Sequence, residues 1–70
     1  MESDIRKKLA AKIIKLRKFQ GISQEFLAFE AKIDRSYMSR IERGIVSVGI
    51  LKLERIAKVL RIEPYELLKF

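Results

Sequence analysis

Apolar residues recur at helical spacing along most of this chain, and short breaks divide them into five segments. The first segment covers residues 4 to 19. Its apolar positions lie four and three residues apart: Leu9, Ile13 and Leu16. Asp4 or Ser3 is expected to cap this helix, and Gly21 is expected to stop it. Its other faces carry six basic residues, Arg6, Lys7, Lys8, Lys12, Lys15 and Lys18. We expect most of these side chains to lie in solvent and to add only long-range attraction to a polyanion.

The next two segments are short, and a tight break separates them. Ser23 is a typical N-cap, Asp34 is a second one, and Gly44 is typical of the position just past a helix. Apolar residues follow each cap on one face: Leu27, Ala28 and Ala31 after the first, Met38 and Ile41 after the second. Two caps this close together predict two short helices rather than one long helix.

Residues 45 to 50 have the β-branched content of a strand, but they have no partner strand, so a loop is expected there. Gly49 then caps a fourth helix from about Ile50 to Leu60, and Pro64 fits the first turn of a short fifth helix. The prediction is an all-α, five-helix protein forming a single domain over residues 1–70. The predicted core is Leu9, Ile13, Leu16, Ile22, Leu27, Ala28, Ala31, Ile33, Met38, Ile41, Ile50, Leu53, Ile56, Ala57, Leu60 and Leu67.

Composition limits the kinds of site that this chain can build. Hydrophobic residues make up 49% of the 70 residues, which is enough for one small helical core. The chain lacks cysteine and histidine, so disulfides, thiolate metal sites and the commonest general base are excluded, and no cofactor or metal is expected. The absence of a long apolar run or signal-peptide core predicts a cytoplasmic protein without a membrane partner. The net charge of +7 favours a polyanion such as nucleic acid.

The second and third helices have the properties of a DNA-reading pair. Ala28 is small enough to let the third helix cross the second at a steep angle. The third helix then leaves one polar face uncovered, composed of Arg35, Ser36, Tyr37, Ser39, Arg40 and Arg43. Such a helix can enter a DNA major groove with its N-terminal side chains at the base edges.

The stretch from Ser23 to Gly44, SQEFLAFEAKIDRSYMSRIERG, resembles the helix-turn-helix signature of the lambda-repressor-like DNA-binding domains, which include phage repressors and bacterial regulators of the xenobiotic-response-element type. The run Arg35-Ser36-Tyr37 is also similar to the controller proteins of restriction–modification systems. The resemblance extends from about Leu9 to Leu68. It implies a helix-turn-helix at helices 2 and 3, transcription regulation in a prokaryote, repression among its modes, and an ion pair that ties the first helix to the recognition helix: Arg17 with Glu42.

The expected DNA contacts divide into positioning and reading. Ser23 is both cap and phosphate neighbour, and Gln24 offers its amide to a phosphate or to the third helix. Arg35 is the candidate for reading guanine, because its planar guanidinium can reach O6 and N7. Ser36 is expected at a base edge or a thymine methyl group. Lys32 lies at a turn where the family often has glycine, and a left-handed conformation there would cost about 1–2 kcal/mol.

The remaining polar residues of the third helix are expected at its edges. Arg40 should lie near the groove, with a surface carboxylate as its alternative partner. Tyr37, Ser39 and Arg43 are expected to contact sugar and phosphate, and the alternative for Tyr37 is packing against the second helix.

The chain has more large apolar residues than its core needs. We expect a homodimer interface formed by Ile45, Val46, Val48, Leu51, Tyr65, Leu68 and Phe70. The alternative is that the C-terminal residues only close the core of a monomer. Phe26 and Phe29 are expected on the outside of the second helix, where they either pack on Phe19 or form a second contact surface.

The predicted function is therefore sequence-specific binding of double-stranded DNA by a homodimer on a pseudo-palindromic operator, for transcription regulation. Glu25 and Glu30 would be available to RNA polymerase or another protein partner. The alternative function is an antitoxin or protein-interaction module whose DNA binding is autoregulatory. A membrane-surface helix at residues 5 to 19 is disfavoured because the core needs its apolar stripe. No nucleophile–base pair is visible, so no enzyme is expected.

Overall fold

The computed structural model describes residues 4–70. Four α-helices and one 3₁₀ helix follow each other within these residues: α1 (Ile5–Phe19), α2 (Gln24–Glu30), α3 (Arg35–Glu42), α4 (Ile50–Val59) and the 3₁₀ helix (Pro64–Leu68). The described residues contain no strand, and residues 45–49 form a loop. The all-α prediction is therefore confirmed.

Side-chain caps begin the first three helices where the sequence indicates them. Asp4 accepts the backbone N–H of Arg6, and Ser23 accepts that of Phe26. The alternative cap of α1, Ser3, lies outside the described residues. Gly49 precedes α4 without a side-chain cap, as expected from its lack of a side chain.

All four α-helices of the described chain end in the same way. The residue after each C-cap has a positive φ: Gly21, Lys32, Gly44 and Arg61. Each of these residues, and the isoleucine that follows it, donates its N–H to a carbonyl of the last helical turn at 2.9–3.2 Å. This Schellman arrangement satisfies carbonyls that would otherwise have no partner, and the isoleucine covers the helix end. Lys32 therefore adopts the left-handed conformation, with φ of 57°, at the turn where the family often has glycine.

The core forms where α3 packs against α1 and α2, with α4 and the 3₁₀ helix closing the opposite side. Most of the predicted core is buried, Leu16 and Ile22 are only partly buried against it, and Ala10 is an additional buried residue. The prediction for Ile50 is wrong, since this residue is 80% exposed. Ile50 is the first residue of α4, and its side chain lines an open groove at the edge of the fold instead of the core.

The predicted fifth α-helix is also wrong in type. Residues Pro64–Leu68 form a 3₁₀ helix, in which the Glu63 carbonyl accepts the N–H of Glu66 at 2.9 Å. The Glu63 backbone N–H also donates to Oε2 of Glu66 at 3.4 Å, which favours this tight turn. The segment is too short for a stable α-helix to propagate. Its fully buried Leu67 still anchors the C-terminal segment to the core.

Gly44 has a second structural role beyond its positive φ. A Cβ atom at this position would lie 3.0 Å from the Cα of Lys7 in α1. The Lys7 ammonium lies 3.5 Å from the carbonyl oxygen of Arg43 and donates to it, placing a cation at the C-terminus of α3. The end of α3 is therefore fixed by close backbone contact with α1.

Candidate nucleic-acid interface

A partly buried polar network fixes α3 relative to α1 and α2. Arg17 donates to both carboxylate oxygens of Glu42, from Nε at 2.8 Å and from Nη2 at 2.9 Å. The Arg17 and Glu42 side chains are only 12% and 5% exposed. Gln24 adds a third donor to Glu42 at 3.1 Å, and Arg17 also donates to the Ile22 carbonyl. The position of the polar face of α3 is therefore set by charge-assisted hydrogen bonds from both neighbouring helices.

Polar side chains from α2 and α3 line one open concavity of about 470 Å³. Its lining is Gln24, Arg35, Ser36 and Ser39. The buried side of α3 consists of Met38, Ile41 and Glu42, so the polar residues face outward from this helix. All four lining residues belong to the DNA-binding set named from the sequence, and the fold brings the start of α2 together with the first two turns of α3.

Arg35 is exposed and makes an ion pair with the other helix of the pair. Its Nη1 atom lies 3.3 Å from Oε2 of Glu25, and both side chains are about two-thirds exposed. Sequence reasoning did not connect these two residues, because they lie ten positions apart on different helices. Within residues 4–70 the Arg35 guanidinium has no hydrogen bond to another group, so its remaining donors are free to meet a ligand.

The Asp34 carboxylate organises the first turn of α3. It accepts the Ser36 hydroxyl and the backbone N–H groups of Ser36 and Tyr37. The Ser36 hydroxyl, followed by these backbone donors, holds the pKa of Asp34 below its ordinary value of 3.8. The Ser36 side chain is thus oriented by the cap, and its hydroxyl oxygen remains available as an acceptor.

Tyr37 fixes the loop that follows α3. Its hydroxyl donates to the Ser47 carbonyl at 2.9 Å, and the Lys52 ammonium lies 5.4 Å from the centre of its ring. Its packing therefore involves the loop and α4, in addition to the core that it partly covers. Sequence reasoning missed Ser47 and Lys52, since neither residue type carries a distinctive signal at its position.

The two outer arginines of α3 extend the basic surface. Arg40 and Arg43 are exposed, and neither forms an ion pair within the described part of the chain. Arg43 is the C-cap of α3, so it lies at the opposite end of the helix from Arg35. Ser23 caps α2 beside Gln24, which places a hydroxyl and the free N–H groups of a helix start at the edge of the same surface.

The residues named for a dimer interface lie along the loop, α4 and the C-terminal segment. Five of them are exposed: Ile45, Leu51, Tyr65, Leu68 and Phe70. Val46 and Val48 are partly buried and pack against the core. An apolar groove of about 310 Å³ crosses this region, and its lining adds Ile5 and Ile50, which sequence reasoning did not assign to this surface.

Three phenylalanines are also exposed: Phe19, Phe26 and Phe29, with exposed fractions of 88%, 48% and 79%. These residues lie at the end of α1 and on α2. Residues 4–70 contain no cluster of carboxylates that could hold a metal ion. None of the described helices is long and apolar enough to cross a membrane.

A family model, a related protein and solved structures each match most of this chain. A helix-turn-helix family model matches residues 13–67. Control protein C.BamHI from Bacillus amyloliquefaciens is 39% identical over 71 aligned positions, which cover 100% of this chain and 88% of that protein. The crystal structure of the restriction–modification controller protein C.AhdI from Aeromonas hydrophila superposes with a TM-score of 0.86 at 40% identity, over 89% of this chain and 94% of that one. The clp gene regulator ClgR from Corynebacterium glutamicum gives a TM-score of 0.87 at 25% identity, over 91% and 68% of the two chains.

Proposed function

The chain belongs to the helix-turn-helix family of DNA-binding transcription regulators and is related to restriction–modification controller proteins, and we propose that residues 1–70 act as one domain that binds a pseudo-palindromic operator as a homodimer. We expect it to act in the cytoplasm, where a prokaryotic chromosome lies. The family is one of DNA-binding regulators rather than enzymes. The proposal rests on the concavity that Gln24 at the start of α2 lines together with Arg35, Ser36 and Ser39 of α3.

Each proposed contact follows from the position of its side chain. Arg35 reads guanine, because it is exposed at the first residue of α3 and has donors left that no group within residues 4–70 accepts. Ser36 meets an adjacent base edge. Ser23 and the start of α2 hold a phosphate, and the amide of Gln24 links this contact to Glu42 in α3.

The edges of α3 supply the remaining phosphate contacts. Arg40 and Arg43 are exposed cations that can approach the backbone on either side of the groove. Tyr37 and Ser39 are partly buried, and Tyr37 contributes chiefly by holding the loop through Ser47. The affinity of these contacts should fall steeply with salt, because each neutralised phosphate releases counterions.

Dimerisation is needed because one recognition helix is too short for useful specificity. The eight residues of α3 span about 12 Å at 1.5 Å per residue, so a single helix meets only a few base pairs. Two copies related by a two-fold axis would place their recognition helices about 34 Å apart. The exposed apolar residues Leu51, Tyr65 and Leu68, together with the groove beside Ile50, provide the surface for this contact.

A salt titration of binding to operator DNA tests the DNA contacts, and sedimentation tests the dimer. If a dimer neutralises about eight phosphates, log K should fall with a slope of about −7 against log salt. Leu51→Lys should sediment as a monomer and lose operator affinity. Phe29→Lys adds the same charge at another exposed apolar site, 79% exposed against 67% for Leu51, and should remain dimeric. A shallow salt slope would contradict the phosphate contacts, and a dimeric Leu51→Lys protein would contradict the interface.

The exposure of three phenylalanines on α1 and α2 favours a second candidate function, an antitoxin or protein-interaction module whose DNA binding is autoregulatory. Phe19, Phe26 and Phe29 lie outside the proposed DNA and dimer surfaces. In this case a second protein should co-purify with the wild type and be lost from a Phe26→Ala, Phe29→Ala variant whose DNA affinity is unchanged. Retention of the same protein by the variant would count against this function.

A further inference from the structure

The ion pair between Glu25 and Arg35 connects α2 directly to the candidate base-reading residue. Nη1 of Arg35 and Oε2 of Glu25 lie 3.3 Å apart, and Arg35 also lines the concavity. The guanidinium has five N–H donors in a planar arrangement, so a contact through Nη1 leaves Nε and Nη2 for a bidentate contact with a base.

Glu25 itself is well placed to hold a long side chain in one direction. It lies in the first turn of α2, and the Ser23 cap and the hydrogen bond from Gln24 to Glu42 fix this turn against α3. An arginine side chain loses considerable rotamer freedom when it is ordered on a ligand. A carboxylate at a fixed position orders part of that side chain before DNA arrives, so less of this freedom is lost on binding.

The same carboxylate acts against one competing arrangement of Arg35 on DNA. An arginine at the edge of the groove can turn toward a phosphate instead of a base, and a phosphate contact carries no sequence information. Moving Arg35 to a phosphate would separate it from Glu25 and leave the carboxylate close to other phosphates. Both effects favour the base-directed orientation.

We propose that Glu25 is a positioning residue for sequence recognition, which holds the Arg35 guanidinium toward the base edges and so raises the discrimination between correct and incorrect sequences. This inference rests on the proposed role of Arg35 in reading DNA. It assigns Glu25 a role in selectivity rather than in total affinity, because the negative charge itself disfavours binding to the DNA backbone.

The test compares four full-length proteins on the same set of duplexes: wild type, Glu25→Gln, Arg35→Ala and the double variant. The duplexes are an operator obtained by selection from random DNA, its derivatives changed at single base pairs, and a duplex without the site. Glu30→Gln is the matched control, since it removes the same charge from α2 at a residue that lines a different groove, beside Arg55 and Lys58. Thermal unfolding by circular dichroism verifies that each variant is folded.

Glu25→Gln should lower the preference for the correct base pair by about twofold to fivefold, the range for an exposed ion pair. Binding to the duplex without the site should be unchanged or slightly tighter, and Glu30→Gln should keep the wild-type preference. In the Arg35→Ala background, Glu25→Gln should have no further effect on base preference. The difference between wild type and Glu25→Gln should also narrow at higher salt, because exposed charges are screened.

The possible failures are distinguishable. If Glu25→Gln keeps the full preference while Arg35→Ala loses it, the proposed reading role of Arg35 stands and the positioning role of Glu25 is refuted. A uniform change in affinity for all duplexes with Glu25→Gln also refutes positioning. If Arg35→Ala keeps the wild-type preference, the inference and the assignment of Arg35 in the proposed function fail together.

Discussion

Replacement of Glu42 by glutamine tests how the recognition helix is held in place. The substitution keeps the size of the side chain and removes its charge. In the wild type the two carboxylate oxygens accept three donors, two from Arg17 at 2.8 and 2.9 Å and one from Gln24 at 3.1 Å. A glutamine offers one oxygen and one NH₂ group, so at least one of these donors would face another donor.

The expected magnitude follows from the burial of the pair. The Arg17 side chain is only 12% exposed. In the variant its guanidinium would still donate to the Ile22 carbonyl at 3.1 Å and to the amide oxygen of the new glutamine, which Gln24 would share. Removing one partner of a buried ion pair costs about 3–5 kcal/mol, and the retained acceptor places Glu42→Gln at about 3 kcal/mol. For a domain of this size, such a loss lowers the melting temperature by roughly 12–24 °C.

Thermal and urea unfolding, followed by circular dichroism, measure this loss. Glu25→Gln is the control, because its ion pair with Arg35 is exposed and should contribute only about 0–1 kcal/mol. DNA affinity of Glu42→Gln should fall as well at a temperature where the variant is folded, since α3 is less firmly held. A Glu42→Gln protein as stable as Glu25→Gln would refute the reasoning, because Arg17 would then have found solvent or another partner at little cost.

Four further substitutions give three separate tests by thermal unfolding. Gly21→Ala should cost about 1–2 kcal/mol of folding stability, because Gly21 has a positive φ. Gly44→Ala should cost more, because the new Cβ would also lie 3.0 Å from the Lys7 backbone. Equal costs for the two variants would contradict that contact. Lys32→Gly should stabilise by about 0.5–1 kcal/mol, since it relieves a left-handed lysine, and destabilisation would contradict this. The pKa of Asp34 is lower in the folded protein than its ordinary value of 3.8, so the charged carboxylate stabilises the fold fully above pH 3.8. This contribution is lost as the pH falls through the lower pKa of the folded state. The melting-temperature gap between wild type and Asp34→Ala should therefore shrink below pH 3.8, and a constant gap would contradict the role of the charge.

The helix boundaries were largely predictable because they depend on local chemistry. Ser23 and Asp34 cap helices through their own side chains, and each needs only the backbone a few residues ahead. Gly21 and Gly44 end helices because they accept a positive φ without strain. Arg61 adopts the same conformation, but a non-glycine residue gives no compositional signal of it. An isoleucine follows the positive-φ residue at the end of each of the four α-helices, and this pattern would have indicated the helix end at Arg61.

The tertiary environment of a side chain was less predictable. Helical periodicity correctly places Leu53 and Ile56 on the buried face of α4. It does not show whether another element covers the first turn of this helix, and for this reason it wrongly placed the exposed Ile50 in the core. The ion pair of Glu25 with Arg35 and the contact of Tyr37 with Ser47 depend on how α2, α3 and the loop are arranged. Such partners are set by the whole fold rather than by spacing along the chain.

We propose that two copies of α3 read DNA through Arg35. Selection of bound duplexes from random DNA at moderate salt, with wild type and Arg35→Ala in parallel, tests it most directly. The wild type should enrich a two-fold symmetric sequence whose guanine preference is absent from the variant. A wild-type protein that enriches no sequence, or a variant that enriches the same guanines, would contradict it.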